Sequence, residues 1–277
     1  MGTISLSGQF LRSAAAKHFV LLSYKGALPG KAEADAEFFH ASCFVFAMEG
    51  IWFLATAGHV ISQIEKAVDA GALVFDFVLH DQLAGKDFPI GVPIEFDPKA
   101  WLTLDMDDAG FDYAVYAIPE LVARNLHAGG IEPIREEGWG AFPYSQYPHW
   151  LLIGIPSESK KSIGTGFLLN LTLIPLTESL HPPSTLAKLA NRVFAKIRTQ
   201  PGKDTVEIDD VEGMSGGPVF GVQLVEKEVR YWLIGIQSGF YTNERVVTFL
   251  PMTNFLGGLR EVIKKIRSEI ESGKASA

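Results

Sequence analysis

Short runs of apolar residues, many alternating with polar ones and broken by glycine, proline and acidic turn residues, recur along most of the chain. They fall at 38–48, 51–56, 73–79, 112–118, 150–155, 166–173, 218–225, 231–237 and 245–250. β-Branched and aromatic residues dominate them, and their close spacing predicts the strands of a barrel or sandwich rather than alternating strand and helix units. The runs on either side of Glu49-Gly50 predict a tight hairpin that leads straight into Thr56. Two segments change to helical period. Phe255, Leu259, Val262, Ile263, Ile266 and Ile270, behind the capping residues Thr253 and Asn254, predict a terminal amphipathic helix over 253–272. Leu186, Leu189, Val193, Phe194 and Ile197 predict a second helix over 184–198. The stretch 126–148, rich in Gly, Pro, Glu and aromatic residues, divides the strands into two sets.

Composition narrows the classes. The chain has 277 residues, of which 47% are hydrophobic and 20% charged, which is the balance of a globular protein with a substantial core. Its net charge of −8 and the absence of a lysine/arginine cluster exclude an electrostatic footprint for nucleic acid. No apolar run reaches about 18 residues, so no membrane partner is expected. Met1 to Gln9 lacks the basic and apolar regions of a signal peptide. No H-E-x-x-H or C-x-x-C spacing supports a metal, and no phosphate or dinucleotide loop supports a cofactor; the expectation is that the chemistry needs neither.

Three short blocks carry candidate chemistry. Gly213-Met214-Ser215-Gly216-Gly217-Pro218 sets a serine in a glycine-rich turn, where a hydroxyl can be presented but needs a positioned base to become a nucleophile. Thr56-Ala57-Gly58-His59-Val60 offers His59 as that base, and Gly110-Phe111-Asp112-Tyr113-Ala114-Val115 offers Asp112 to orient the imidazole. Asp105, Asp107 and Asp108 are rival acids, but they sit in a polar loop, whereas Asp112 leads directly into a strand-like run. The serine block also satisfies the G-x-S-x-G elbow of α/β-hydrolases, where the histidine follows the serine. Here all the histidines (His18, His40, His59, His80, His127, His149 and His181) precede Ser215, which removes that reading.

In the order His, Asp, Ser, the blocks resemble those of trypsin-like (chymotrypsin-fold) serine peptidases, and the disulfide-free bacterial branch more than the secreted digestive enzymes. The resemblance implies an all-β fold of two six-stranded antiparallel barrels with a C-terminal helix. It places the first barrel at 1–125 with His59 and Asp112, a connection at 126–148, the second barrel at 149–252 with Ser215, and the helix and tail at 253–277. It implies a serine endopeptidase acting on a protein or peptide substrate through an acyl-enzyme, with the amides of Gly213 and Ser215 as the oxyanion hole. Ser238 and Gly239 fall where the family places the strand edge that pairs with substrate; the glycine usual one position further on is replaced by Phe240. Asp209, six residues before Ser215, matches the offset of trypsin's pocket-floor aspartate, although Asp209-Asp210 reads equally as a solvated turn after the run 205–208. Met214 stands where the digestive enzymes carry an aspartate that pairs with a newly cut amino terminus, so activation by trimming is not expected. Cys43 is the sole cysteine, set in an apolar run as a small buried hydrophobe, and a chain without an intramolecular disulfide suits the cytoplasm. The rival from another class is a peptide-binding or scaffolding protein that keeps the fold and triad but has lost turnover.

Overall fold

The structure, a computed structural model, describes residues 14–81, 91–106, 110–139, 143–163, 166–179, 191–198, 210–226 and 228–271. Seven strands make the first unit: β1 (Phe19–Ala27), β2 (Glu37–Met48), β3 (Ile51–Thr56), β4 (Leu73–His80), β5 (Gly91–Pro93), β6 (Trp101–Met106) and β7 (Phe111–Ala117). They form one antiparallel sheet in the order β5-β4-β1-β2-β3-β7-β6. The second unit contains β8 (His149–Gly154), a small pair β9 (Lys161–Ile163) and β10 (Gly166–Leu168), then β11 (Thr172–Glu178), β12 (Val193–Ile197), β13 (Pro218–Val225), β14 (Glu228–Tyr241) and β15 (Val246–Pro251). Apart from the small pair, these strands close into a barrel of order β11-β12-β15-β14-β13-β8. Helix α1 (Gly58–Asp69) follows β3, α2 (Glu120–Ala128) follows β7, and α3 (Met252–Glu271) ends the described chain.

The chain is therefore all-β with two strand units and a C-terminal helix. Its second unit is a closed six-stranded barrel, while the first is a seven-stranded sheet. The β2–β3 hairpin turns at Glu49 and Gly50, both at positive φ, with Met48 opposite Ile51, the geometry that a two-residue turn needs to match strand twist. One sequence expectation is corrected. Residues 193–197, read as part of a helix over 184–198, are strand β12, held between β11 and β15 in the closed barrel; residues 184–190 lie outside the described set. Ladder hydrogen bonds on both sides outweigh an apolar spacing that suits either state. The run 166–173 divides into β10 and the start of β11.

The core follows from strand periodicity. Successive side chains point to opposite faces, so on β1 and β2 the residues Phe19, Leu21, Phe44 and Phe46 enter a core shared by both units, while Val20, Leu22, Cys43 and Val45 enter one inside the first. On β8 and β13, Leu151, Ile153, Phe220 and Val222 face the shared core, and Trp150, Leu152 and Val219 fill the barrel. Phe255, Leu256, Leu259 and Ile263 of α3 close the shared core. The connection is stitched to both units: Ile134 brackets β2 through Ile134 N–H to Val45 C=O (2.9 Å) and Ala47 N–H to Ile134 C=O (2.8 Å), and Trp139 bridges to Leu233.

Because that core is common property, the units should unfold together. Phe220 is fully buried within it, so Phe220→Ala should lower stability by about 3–5 kcal/mol while leaving a single urea transition by tryptophan fluorescence. Two separate transitions would show that the shared core does not couple the halves.

Candidate active site

The site is assembled where β3 ends and β7 begins, beside the turn leading into β13. Helix α1 begins at Gly58 behind Ala57, whose side chain gives no cap, so the first N–H groups of the helix need outside acceptors. Asp112 on β7 supplies one: His59 N–H donates to Asp112 Oδ1 at 2.7 Å. The His59 ring Nδ1 lies 2.8 Å from Asp112 Oδ2. Since an ionised carboxylate only accepts, Nδ1 carries the proton and Nε2 is left as the acceptor. Ser238 Oγ completes the arrangement by donating to Asp112 Oδ2 at 2.5 Å. The Asp112 side chain is 3% exposed and the His59 side chain 30%, so the carboxylate is sealed while part of the imidazole meets solvent.

These contacts set the protonation states. Burial works against the His59 imidazolium, but the hydrogen bond and charge of Asp112 outweigh it, with Asp105 adding and Arg192 opposing, and its pKa lies above the ordinary histidine value. Burial pushes the Asp112 carboxyl up, yet the His59 and Ser238 hydrogen bonds hold it below the ordinary aspartate value. Of the rival acids, Asp105 stands opposite Asp112 on the neighbouring strand β6 and acts on His59 through its charge; Asp107 and Asp108 lie outside the described residues, as does Asp209.

The serine turn is packed against this group. Gly216 has φ +88, and a Cβ there would fall 2.1 Å from Thr56 Oγ1 and 2.8 Å from Ala57 N, so only glycine allows the turn to lie on the segment that delivers His59. Gly216 N–H donates to Gln237 C=O at 2.9 Å, next to Ser238. Met214 is fully buried in the barrel core and its side chain fills the place where a Cβ on Gly154 would stand.

Hydrogen bonds fix three consecutive peptide planes in this turn. Glu212 C=O accepts from Ser157 N–H at 2.7 Å, Gly213 C=O accepts from Ser42 Oγ at 3.0 Å, and Met214 C=O accepts from Gly217 N–H at 2.8 Å. A trans peptide holds its C=O and N–H antiparallel, so the N–H of Gly213 points away from Ser157 and that of Ser215 away from Gly217. Met214 N–H turns back to Val211 C=O at 3.0 Å, whereas among the described residues the N–H groups of Gly213 and Ser215 have no acceptor. Backbone donors are nearly always paired in folded chains, so two unengaged N–H groups two residues apart form a distinctive feature. Ser215 is partly exposed, and no hydrogen bond joins it to His59; such bonds often tighten only when substrate is present.

The structure thus brings His59, Asp112 and Ser238 into contact and packs the turn bearing Gly213 and Ser215 against them. Gly239 follows on β14, which pairs with β13 only as far as Ile236 and with β15 from Gly235 to Tyr241. Beyond Gln237, one edge of β14 is therefore open among the described residues. Sequence reasoning missed Ser42, which ties Gly213 C=O to Ile155 N–H (3.2 Å) across the seam between the units. A polar residue fully buried inside an apolar strand was its signal. Ser157 and Arg192 gave none.

No protein-family model matches the chain, and no curated protein matches it. Among solved structures it is similar to the inactive form of Rv3671c from M. tuberculosis H37Rv, at a TM-score of 0.46 and 16% identity, covering 94% of each chain. It is similar to the active form of the Rv3671c protease at a TM-score of 0.45 and 16% identity, covering 90% of this chain and 82% of that one. It is also similar to a thermostable serine protease, AL20, from an extremophilic microorganism, at a TM-score of 0.44 and 15% identity, covering 86% of this chain and 92% of that one.

Two measurements probe the geometry. A Cβ on Gly58 would sit 2.9 Å from Leu104 C=O and 3.1 Å from Asp112 Oδ1. Gly58→Ala should therefore displace the carboxylate and reduce any turnover on the order of ten- to a hundredfold, the usual effect of small misplacements in a reacting group. Asp105→Asn removes a charge that favours the imidazolium. It should lower the His59 pKa and move the acid limb of a pH–rate profile, or the NMR titration of the ring, to lower pH; an unmoved titration would show that Asp105 has no hold on His59.

Proposed function

We propose that the protein is a trypsin-like serine endopeptidase hydrolysing peptide bonds through an acyl-enzyme. The observation that carries this reading is the pair of unengaged N–H groups on Gly213 and Ser215, in a turn packed against the segment that holds His59 on Asp112. Buried or half-buried donors with no internal acceptor are matched to an acceptor that arrives from outside, here the oxyanion of a tetrahedral intermediate.

In this mechanism Ser215 Oγ attacks the scissile carbonyl carbon while His59 Nε2 takes its proton. The carbonyl oxygen, now negative, receives hydrogen bonds from the Gly213 and Ser215 amides. Asp112 keeps Nδ1 protonated and stabilises the imidazolium that forms. Collapse of the intermediate expels the amine, which takes the proton from Nε2, and leaves an ester on Ser215. Water, deprotonated by His59, then hydrolyses the ester and frees the enzyme. Because His59 must be neutral to accept the first proton, kcat/KM should rise with pH through a pKa above the ordinary histidine value.

The substrate backbone adds to the open edge of β14 at Ser238 and Gly239, where main-chain hydrogen bonds supply affinity whatever the side chains. A cytoplasmic setting belongs to the same reading, since Cys43 is the sole cysteine and is fully buried. The absence of a Ser215–His59 hydrogen bond favours a second reading, a peptide-binding protein that no longer turns over.

Fluorophosphonate labelling separates the two, because it requires an activated serine. Wild-type protein should label on Ser215 and cleave peptides. Ser215→Ala should abolish both while leaving the circular dichroism spectrum unchanged, at a cost in turnover on the order of a millionfold. Asp112→Asn should fold and lose about ten-thousandfold at neutral pH, because the imidazole then adopts the wrong tautomer. A protein that binds peptides but neither labels nor cleaves is the scaffold.

A further inference from the structure

Gln237 brackets the serine turn with its backbone and leaves its side chain unused. Gly216 N–H donates to Gln237 C=O and Gln237 N–H donates to Gly217 C=O, both at 2.9 Å. The residue is 1% exposed, yet its amide oxygen is enclosed without a hydrogen-bond partner, and among the described residues its amide nitrogen makes no hydrogen bond either. An enclosed amide in that state is costly, because nothing replaces the hydration it has lost. Register shows where the amide lies. Gln237 pairs with Phe249 on β15, a member of the barrel core, while the preceding Ile236 belongs to the shared core. Opposed residues of an antiparallel pair share a face and successive residues alternate, so the Gln237 side chain enters the barrel. Val211 and Met214, which lead into Ser215, belong to the same barrel core. The unpaired amide is therefore held at the end of the barrel that the serine turn closes.

We propose that Gln237 selects the substrate: peptides with a glutamine or asparagine side chain at the residue that contributes its carbonyl to the scissile bond are the preferred class. The proposal rests on the peptidase reading and names the substrate for the same site. With the carbonyl oxygen on the Gly213 and Ser215 amides and the backbone along Ser238 and Gly239, that side chain is directed between the serine turn and β14, toward the barrel end that holds Gln237. No internal hydrogen bond restrains the Gln237 amide from turning to meet it. A primary amide carries an acceptor on its oxygen and donors on its nitrogen, and a second primary amide meets both at once. A carboxylate only accepts and an ammonium or guanidinium only donates, so each leaves half of the Gln237 amide unpaired in an enclosed site. An aliphatic side chain satisfies neither half. A site built to hydrogen-bond a substrate group discriminates against analogues that lack it. This selection differs from the one that a carboxylate at Asp209 would make.

The test is a peptide library in which the residue before the scissile bond is Gln, Asn, Met, Leu, Glu, Lys or Arg in turn. Full-length wild-type protein, Gln237→Met, Gln237→Asn and Gln237→Glu are compared by kcat/KM, with Ser215 labelling and the melting temperature measured in parallel. Wild-type protein should favour Gln or Asn over Met and Leu by on the order of 10- to 100-fold, the range for two hydrogen bonds between neutral groups. Gln237→Met should flatten that preference while melting no lower than wild type, because it removes an unpaired polar group and keeps the volume. Gln237→Asn should keep the preference but weaken it, and Gln237→Glu should turn it toward Lys and Arg. If Gln237→Met fails to fold, or melts lower than wild type, the amide is bonded within the fold and the proposal is overturned. Wild-type labelling and cleavage with a preference for charged or aliphatic residues, or an amide preference unchanged by these substitutions, also overturns it and leaves the peptidase reading intact. Absence of both labelling and cleavage overturns the peptidase reading and this proposal with it.

Discussion

A single buried carboxylate ties the site together. Asp112 is almost fully enclosed, and an isolated charge removed from water to that extent is costed at several kcal/mol unless hydrogen bonds replace its hydration. Its donors come from separate parts of the chain: the backbone N–H and ring of His59 at the start of α1, and the hydroxyl of Ser238 on β14 of the other unit. Satisfying Asp112 therefore requires the barrel to dock against the first sheet in one position. The same docking lays Gly216 on Thr56 and Ala57, with no room for a side chain between them. Charge satisfaction and close packing fix the same relative placement of the halves.

The serine turn is held by a different kind of force. Where an ion pair to a new amino terminus would make the turn conditional, Met214 anchors it by burying an apolar side chain in the barrel core against Gly154. Burial of this sort is present as soon as the barrel folds. Ser42 and Ser157 then lock the flanking peptides from the neighbouring strand and turn. Gly213, at φ +84, admits the fold-back because a side chain there would be strained and would meet Ser157 Oγ at 2.6 Å. Apolar packing, the buried Ser42 hydroxyl and the Ser157 N–H thus place the turn together, all through contacts within the folded chain.

Much of this was legible because the informative residues are local. The hairpin at Glu49-Gly50 and the strands Ile51–Thr56 and Pro218–Val225 have clear turn signals and apolar runs, and they fall where the sequence placed them. Asp112 was preferred because it leads a strand-like run, and its carboxylate is the one on His59; the companion reading of Asp105 as a loop residue is corrected, since it lies on strand β6 opposite Asp112. What the sequence hid depends on long-range pairing. β1 has both faces buried over Phe19 to Leu22, so it lacks the alternation of a half-exposed strand. β6 shows Leu102, Leu104 and Met106 to the outside, so its pattern is inverted. β12 carries a spacing compatible with a helix, and the closed barrel decides it. The glycine at 58 had no explanation in one dimension; in three, Leu104 C=O, Tyr113 N and Asp112 Oδ1 crowd the place a methyl would need.

The closing helix also bears on the acid, from behind. On β7, Asp112 and Tyr113 point to opposite faces, one to His59 and the other to the shared core. Tyr113 stacks on Phe255 of α3, with ring centroids 4.5 Å apart and planes 14° from parallel, and its hydroxyl donates to Pro251 C=O at 2.8 Å, one residue before the helix begins. The residue that follows the acid is thus held by ring and hydroxyl to the segment that ends the barrel and opens α3. Arg260 and Arg267, further along the helix, pair with Glu136 of the connection and Glu49 of the hairpin, but exposed ion pairs of this kind add little. The apolar stripe and the Tyr113 contacts do the holding. A helix remote from the serine in sequence is in this way part of what keeps the carboxylate under His59, because the strand that carries Asp112 cannot shift without breaking its grip on α3.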